Sequence, residues 1–260
     1  MAKIILIGGA EDRKDKKETL RKIVDVCSGG TIGICTSALY DNPLELFDVY
    51  KDSFENIGVD KVVSFDIRSK DEVDIVENIK NLDLIDAIFF TGGDQVRLAE
   101  IFNHTNFLKK LKSKINSEQI VYCGSSAGSM IAAETMIYDG DYKGLVKGSV
   151  GSGQGFGIVK NVIVDTHFFK RARLERMAQV LLRGGENKGI GLTENSGIVI
   201  IENICEVVGK GCVAFVDASN IVTNIYESVS EGDKIPVIGL NITLLNSGDK
   251  FCLWNWSPIF

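Results

Sequence analysis

The sequence predicts an α/β three-layer sandwich with a mostly parallel central sheet and a β-rich C-terminal extension. Three observations predict it. Short apolar runs recur through the first half, each followed by a charged stretch with helical spacing. The runs are apolar at consecutive positions, as strands buried on both faces are. Beyond residue 183 the helical stretches stop, and short β segments follow one another instead.

The strands of the first half read as KIILIGG (3–9), TIGICTSA (31–38), DKVVSFDI (60–67), AIFFTGG (87–93) and QIVYCGSS (119–126). Helical periodicity falls near 14–27, 43–57, 71–80 and 95–114 between them. Alternation of this kind builds βαβ units, and so a parallel sheet with helices on both faces. In the second half, the glycine-rich stretch 139–157 reads as a long loop. It is followed by the strand VKNVIVDTHF (159–168) and a basic amphipathic helix near 170–183. GIGLTE, SGIVIIE, EVVGKG, CVAFVDA and NIVTNIYE (220–227) read as the β segments of the extension. The apolar, aromatic tail FCLWNWSPIF is expected to pack on the domain or on a second subunit. No linker divides the 260 residues, which are read as one domain, 1–260.

Composition narrows the function. Hydrophobic residues make up 45% and charged residues 25%, as in globular proteins generally. With 35 acidic against 29 basic residues, the net charge of −6 disfavours nucleic acid as a partner. No stretch approaches a membrane span, and the N-terminus fits neither a signal nor a transit peptide. Six cysteines occur singly, with no C-x-x-C pair, and read as reduced core thiols of a cytoplasmic protein. No metal-ligand cluster is present, and no cofactor is expected.

Ligands of an open parallel sheet bind beyond the carboxyl ends of its strands. Four loops there carry candidate residues: GGAED (8–12), TSALYD (36–41), TGGDQ (91–95) and GSSAGS (124–129). The first, taken alone, is a glycine turn or a phosphate cradle, though it is not G-x-G-x-x-G. The last contains G-x-S-x-G, with a buried strand before it and a small-residue helix start after it. Such an elbow lifts Ser126 above the sheet and lets the Ala127 N–H join an oxyanion hole. Serine needs a base to take its proton. Only two histidines are present. His104 reads as a solvated or capping residue, whereas His167 ends a buried strand on the edge where Ser126 should emerge. An acid that fixes the imidazole is then required, and Glu194 and Asp165 compete, with Asp139 and Asp141 weaker rivals. Gly92 and Gly93 can supply bare N–H groups, Gln95 can hold substrate, and Arg171, Arg173 and Arg176 offer forks for carboxylates.

The motifs GGAEDR, FTGGDQ, GSSAGSM, DTHFFKRARLERM and GIGLTENSGIVI, in that order, resemble the cyanophycinases, serine peptidases related to dipeptidase E. The resemblance covers roughly the first three quarters of the chain. It implies a flavodoxin-like scaffold of the class I glutamine-amidotransferase kind, with serine at the elbow instead of cysteine. It further implies Ser126 as nucleophile, His167 as base and Glu194 as orienting acid. Gly93 and Ala127 would form the oxyanion hole, and Gln95, Asp165, Thr166 and Arg171 would face substrate. The implied reaction is hydrolysis of cyanophycin, an aspartate- and arginine-rich polymer, to β-aspartyl-arginine, by a homodimer that needs no metal. Two positions depart from the family pattern: Thr166 stands where glutamine is usual, and the elbow is GSSAGS rather than GTSAGA. An aspartyl or β-aspartyl dipeptidase and a non-catalytic flavodoxin-like binding module are the alternatives.

Overall fold

The computed structural model describes residues 2–222 and 225–260. Strand β1 (Lys3–Ile7) leads to helix α1 (Glu18–Val26), β2 (Thr31–Cys35) to α2 (Pro43–Glu55), and β3 (Lys61–Phe65) to α3 (Lys70–Val73) and α4 (Val76–Asn81). Strand β4 (Ala87–Phe90) leads to α5 (Gln95–Phe102) and α6 (Asn106–Asn116), and β5 (Val121–Ser125) runs into the short α7 (Ala127–Met130). The helix expected over 95–114 is therefore two. Asn103 is extended, His104 takes a left-handed φ of 65°, and the Thr105 hydroxyl caps α6 by accepting the Leu108 N–H. The helix expected over 71–80 is also broken, at Asp74 and Ile75. The Asp74 carboxylate accepts the Asn106 and Phe107 N–H groups, so it caps α6 instead of continuing its own helix.

The second half holds the hairpin β6 (Thr135–Ile137) and β7 (Ser152–Gln154), which closes part of the expected loop, then β8 (Ile163–Asp165) and α8 (Leu174–Leu182). Strands β9 (Lys188–Leu192), β10 (Ser196–Ile201), β11 (Ile204–Gly209), β12 (Val213–Asp217), β13 (Asn241–Leu245), β14 (Lys250–Cys252) and β15 (Ser257–Ile259) follow. Among the described residues, one sheet has nine strands in the order β15-β14-β11-β10-β1-β5-β4-β2-β3. The five strands of the first half are parallel, and the four added beyond β1 are antiparallel.

Of the other six, β13-β12-β9-β8 form a separate sheet and β6 pairs with β7. The β-rich C-terminal extension is thus divided, because β9 and β10, only three residues apart, enter different sheets. Of the expected strand NIVTNIYE, the described residues 220–222 are turn, coil and bend and 226–228 form a 3₁₀ turn, while residues 223 and 224 lie outside the described residues. In the tail, Phe251 stacks on Phe215 with ring centroids 3.9 Å apart, and Trp256 meets both rings edge-on.

Strand β1 shows why the runs are apolar throughout. Ile4 and Leu6 join one core with Phe90, Leu111, Ile190 and Phe215, while Ile5 and Ile7 join another with Leu20, Ile23 and Phe54. The central strand therefore lies between two apolar cores, with α7 and α1 among the helices that touch it.

Helix α7 sits directly on β4 and β5. Tyr122 Oη donates to Gly128 O at 2.6 Å, and any Cβ at Gly128 would overlap the Phe90 carbonyl. Gly128→Ala is expected to lower the unfolding free energy by about 1–3 kcal/mol, since backbone must move to admit the methyl group. Urea unfolding monitored by circular dichroism checks this; an unchanged midpoint would contradict the packing.

Candidate active site

Ser126 links β5 to α7 with φ 49° and ψ −110°, left-handed for a residue that carries a Cβ. Its N–H donates to Ile7 O at 3.0 Å, and its carbonyl accepts the Ser129 and Met130 N–H groups at 2.9 and 3.0 Å. Ser129 Oγ accepts the Ile7 N–H at 2.9 Å and lies 2.7 Å from both Ile7 O and Gly124 O. The elbow is thereby tied to the two central strands, and its hydroxyl projects past the carboxyl edge of the sheet.

Three of the expected residues meet there. Ser126 Oγ lies 3.0 Å from His167 Nε2, and His167 Nδ1 lies 2.7 Å from Glu194 Oε1. His167 stands two residues beyond the end of β8 and Glu194 two beyond the end of β9, neighbours that pair in parallel. The second carboxylate oxygen of Glu194 accepts Lys170 Nζ at 2.8 Å. Burial holds the His167 pKa below the ordinary histidine value, and the charges of Arg171 and Arg173 act in the same direction, against the Glu194 hydrogen bond. Burial alone would raise the Glu194 carboxyl, but the hydrogen bonds from Lys170 and His167 keep it below its usual value. At neutral pH the imidazole is therefore neutral beside an ionised carboxylate. With Nδ1–H donated to Glu194, the Nε2 lone pair faces the serine hydroxyl. Such a chain can deprotonate Ser126 as it attacks and return the proton to a leaving group.

The glycine loops crowd this pair. A Cβ on Gly92 would lie 3.3 Å from Ser126 Cβ and 3.9 Å from Oγ, so the Gly92–Gly93 turn borders the hydroxyl directly. Ala127 is the first residue of α7, where an N–H has no acceptor within its own helix. Gly9, in the GGAED turn, also borders the pair: a Cβ there would lie 2.5 Å from His167 Nε2.

A cavity of about 370 Å³ is bordered by Gly93, Gln95, Asp139, Asp141, Arg171 and Arg173; it meets the site at the Gly92–Gly93 turn, and none of the three hydrogen-bonded residues lines it. Gln95 borders it with its side-chain amide donated to Ile137 O at 2.8 Å. The Arg171 side chain is 47% exposed and 3.8 Å from Asp141. Arg173 and Arg176 are buried, and both bond Asp141, at 2.8 and 2.7 Å. A larger cleft, about 780 Å³, runs between residues 11–17 and α2, but none of the three hydrogen-bonded residues lines it.

Two residues expected to face substrate are buried in this structure. Asp165 is fully buried and takes a two-pronged bond from Arg176 at 2.6 and 2.7 Å. Arg173 lies 3.3 Å from the same carboxylate. It neither bonds His167 nor meets solvent; its reach to the cavity is through the arginines. Thr166 is also fully buried, with its hydroxyl on Met130 Sδ at 3.1 Å and its carbonyl accepting Arg173 at 2.9 Å. Sequence reasoning missed Lys170, whose only signal was its place in the run HFFKRAR. His104 is exposed, away from the cavity lining just described.

The sequence pattern of peptidase family S51 matches residues 4–208. A cyanophycinase of Geminocystis herdmanii is 30% identical over 253 residues, covering 95% of this chain and 92% of its own. Another, from Trichormus variabilis, is 29% identical over 255 residues, covering 96% of this chain and 85% of its own. Among solved structures, a peptidase from an acI-B1 actinobacterium aligns with a TM-score of 0.71 at 19% identity over 97% of both chains. A putative peptidase E from Listeria monocytogenes aligns with a TM-score of 0.56 at 18% identity, over 81% of this chain and 98% of its own.

The depressed His167 pKa sets a pH expectation. Labelling of the protein by a serine-directed fluorophosphonate should rise with pH through an inflection below about 6.5, because only neutral imidazole acts as base. Arg171→Gln removes a cation that depresses the value, so the inflection should move upward; a wild-type inflection at or above 6.5 would contradict the burial argument. Separately, Asp165→Ala leaves Arg176 short of its buried partner and should cost about 3 kcal/mol in urea unfolding. A loss below 1 kcal/mol would show that Asp141 alone compensates Arg176.

Proposed function

The chain belongs to peptidase family S51 and is a serine-peptidase-type hydrolase, and from that premise we propose that it is a cyanophycinase acting through an acyl-enzyme on Ser126. The observation that carries this reading is the unbroken hydrogen-bond chain Ser126–His167–Glu194, with links of 3.0 and 2.7 Å. In the proposed reaction Ser126 Oγ attacks the carbonyl carbon of a backbone aspartyl bond, and its proton passes to His167 Nε2. The negative charge that forms on the carbonyl oxygen is met by the Gly93 and Ala127 N–H groups. Collapse breaks the C–N bond, and the amine leaves with the proton from His167. Water then attacks the ester with His167 again as base, which frees Ser126. Glu194 stays ionised and steadies the imidazolium.

The cavity chemistry supports the polymer. Each unit of multi-L-arginyl-poly-L-aspartate carries one free carboxylate and one guanidinium. The half-exposed Arg171 fork suits the first, and the exposed Asp139 at the rim suits the second. Gln95 would position the substrate backbone from the N-terminus of α5. The near-complete coverage of a cyanophycinase of similar length supports the same reading. A homodimer belongs to it as well: Trp254 and Phe260 of the tail keep their rings exposed, as an interface would require.

Purified protein incubated with insoluble cyanophycin is expected to clear it and release β-aspartyl-arginine, detected by mass spectrometry. Ser126→Ala should lose this by at least 10³-fold, as loss of a nucleophile does. Turnover of α- or β-aspartyl dipeptides with the polymer untouched would replace the proposal with a dipeptidase.

A further inference from the structure

Residues 8–12, Gly-Gly-Ala-Glu-Asp, take no part in the acyl transfer, yet they bond the chain at or beside all three members of the triad. Gly8 O accepts the His167 N–H at 3.0 Å. Gly9 O accepts the Asn195 N–H at 2.9 Å and the Asp12 N–H donates to Asn195 Oδ1 at 3.0 Å, so the residue after Glu194 is held twice. The Glu11 carboxylate accepts the Ser125 hydroxyl at 2.7 Å, one residue before Ser126. Its other oxygen accepts the Tyr50 hydroxyl from α2.

This arrangement does not suit a phosphate cradle. The Gly8 and Asp12 N–H groups are already spent on Ser196 O and Asn195 Oδ1, and the carboxylates of Glu11 and Asp12 would repel an anion. It suits a clamp. Glu11, Ser125 and Tyr50 are 5%, 2% and 4% exposed. A carboxylate withdrawn from water is costly unless donors saturate it, and its bonds to those donors are short and strong. The strong bond falls where the chain is strained, on the strand side of Ser126 at φ 49°. The backbone of Gly9 meanwhile fills the space against the reacting pair, with a virtual Cβ 2.5 Å from His167 Nε2 and 3.2 Å from Ser126 Cβ.

We propose that Glu11 is a positioning residue for the nucleophile, and that residues 8–12 form one clamp that sets the mutual register of Ser126, His167 and Glu194. The inference rests on the catalytic reading of that triad. It assigns a role to a buried carboxylate that the acyl transfer itself does not use.

The test is the kinetics of labelling by diisopropyl fluorophosphate, in which Ser126 Oγ bonds phosphorus, fluoride leaves and the proton passes to His167. Wild type, Ser125→Ala and Glu11→Gln are compared, with labelling at Ser126 identified by peptide mass and folding verified by circular dichroism. A clamp predicts an inactivation rate constant lower by about 10- to 100-fold in both variants, with the probe's binding constant unchanged. A merely structural role would lower the thermal midpoint and leave that rate constant intact in folded protein. A rate constant for folded Ser125→Ala within twofold of wild type overturns the clamp. Absence of label from wild type would instead remove the catalytic reading, and the clamp with it.

Discussion

A residue with a side chain is held at φ 49° and ψ −110° where β5 meets α7, and the surrounding structure is arranged to keep it there. Such a conformation costs about 1–3 kcal/mol and persists only where neighbours over-determine it. The Ser126 N–H extends the β1–β5 ladder by one bond, its carbonyl starts α7, and Ser129 bridges Ile7 and Gly124 across the same point. These braces exist because β1 and β5 are adjacent at the centre of the sheet, apolar on both faces and packed from both sides. An edge strand would brace such a turn from one side only. The doubly buried apolar runs of the first half are therefore also what makes a raised hydroxyl affordable.

Electrostatics adds the second requirement, a histidine that is neutral yet correctly oriented. Burial and two nearby arginines keep His167 unprotonated, while Glu194 fixes the tautomer. The opposing charges are arranged at different depths. Arg176 and Asp165 pair out of solvent, where the net contribution to stability is small but the geometry is rigid. That pair ties the end of β8 to α8 two residues before His167, and Arg173 with Asp141 ties the 138–151 segment to the same helix. Lys170, whose side chain is 70% exposed, acts on Glu194 through a screened charge. The deep pairs thus set position, and the shallow ones adjust charge.

How far the sequence could be read follows from the range of the forces involved. The parallel half was legible because double burial writes a continuous apolar run, and the elbow because glycine, serine and alanine occur together where backbones touch. Ser126, His167 and Glu194 could each be placed at a strand end by that pattern. The break at Asn103–Thr105 was not legible, since it depends on Asp74, about thirty residues away, capping α6. The division of β9 and β10 between two sheets was likewise invisible, because both read as apolar strands whichever partner they take. Asp165 and Thr166 looked like pocket residues because they flank His167 in sequence. Both lie in a segment buried on both faces, and Arg176 holds the Asp165 carboxylate inside.

Thr166, fully buried, is linked to the cavity only through its neighbours. Its hydroxyl meets Met130 Sδ, and its carbonyl accepts Arg173, whose other nitrogens hold Asp141 at the cavity rim. A glutamine there, the usual residue of the family it resembles, would bring a longer amide into a space with no opening to solvent. Either Met130 or Arg173 would have to yield to it. Moving Met130 disturbs α7, which follows the elbow; moving Arg173 shifts Asp141 and the charge at the cavity rim. On the proposed cyanophycinase reading, any effect of Thr166 on substrate would pass through Arg173 and Asp141, because its own side chain meets no solvent.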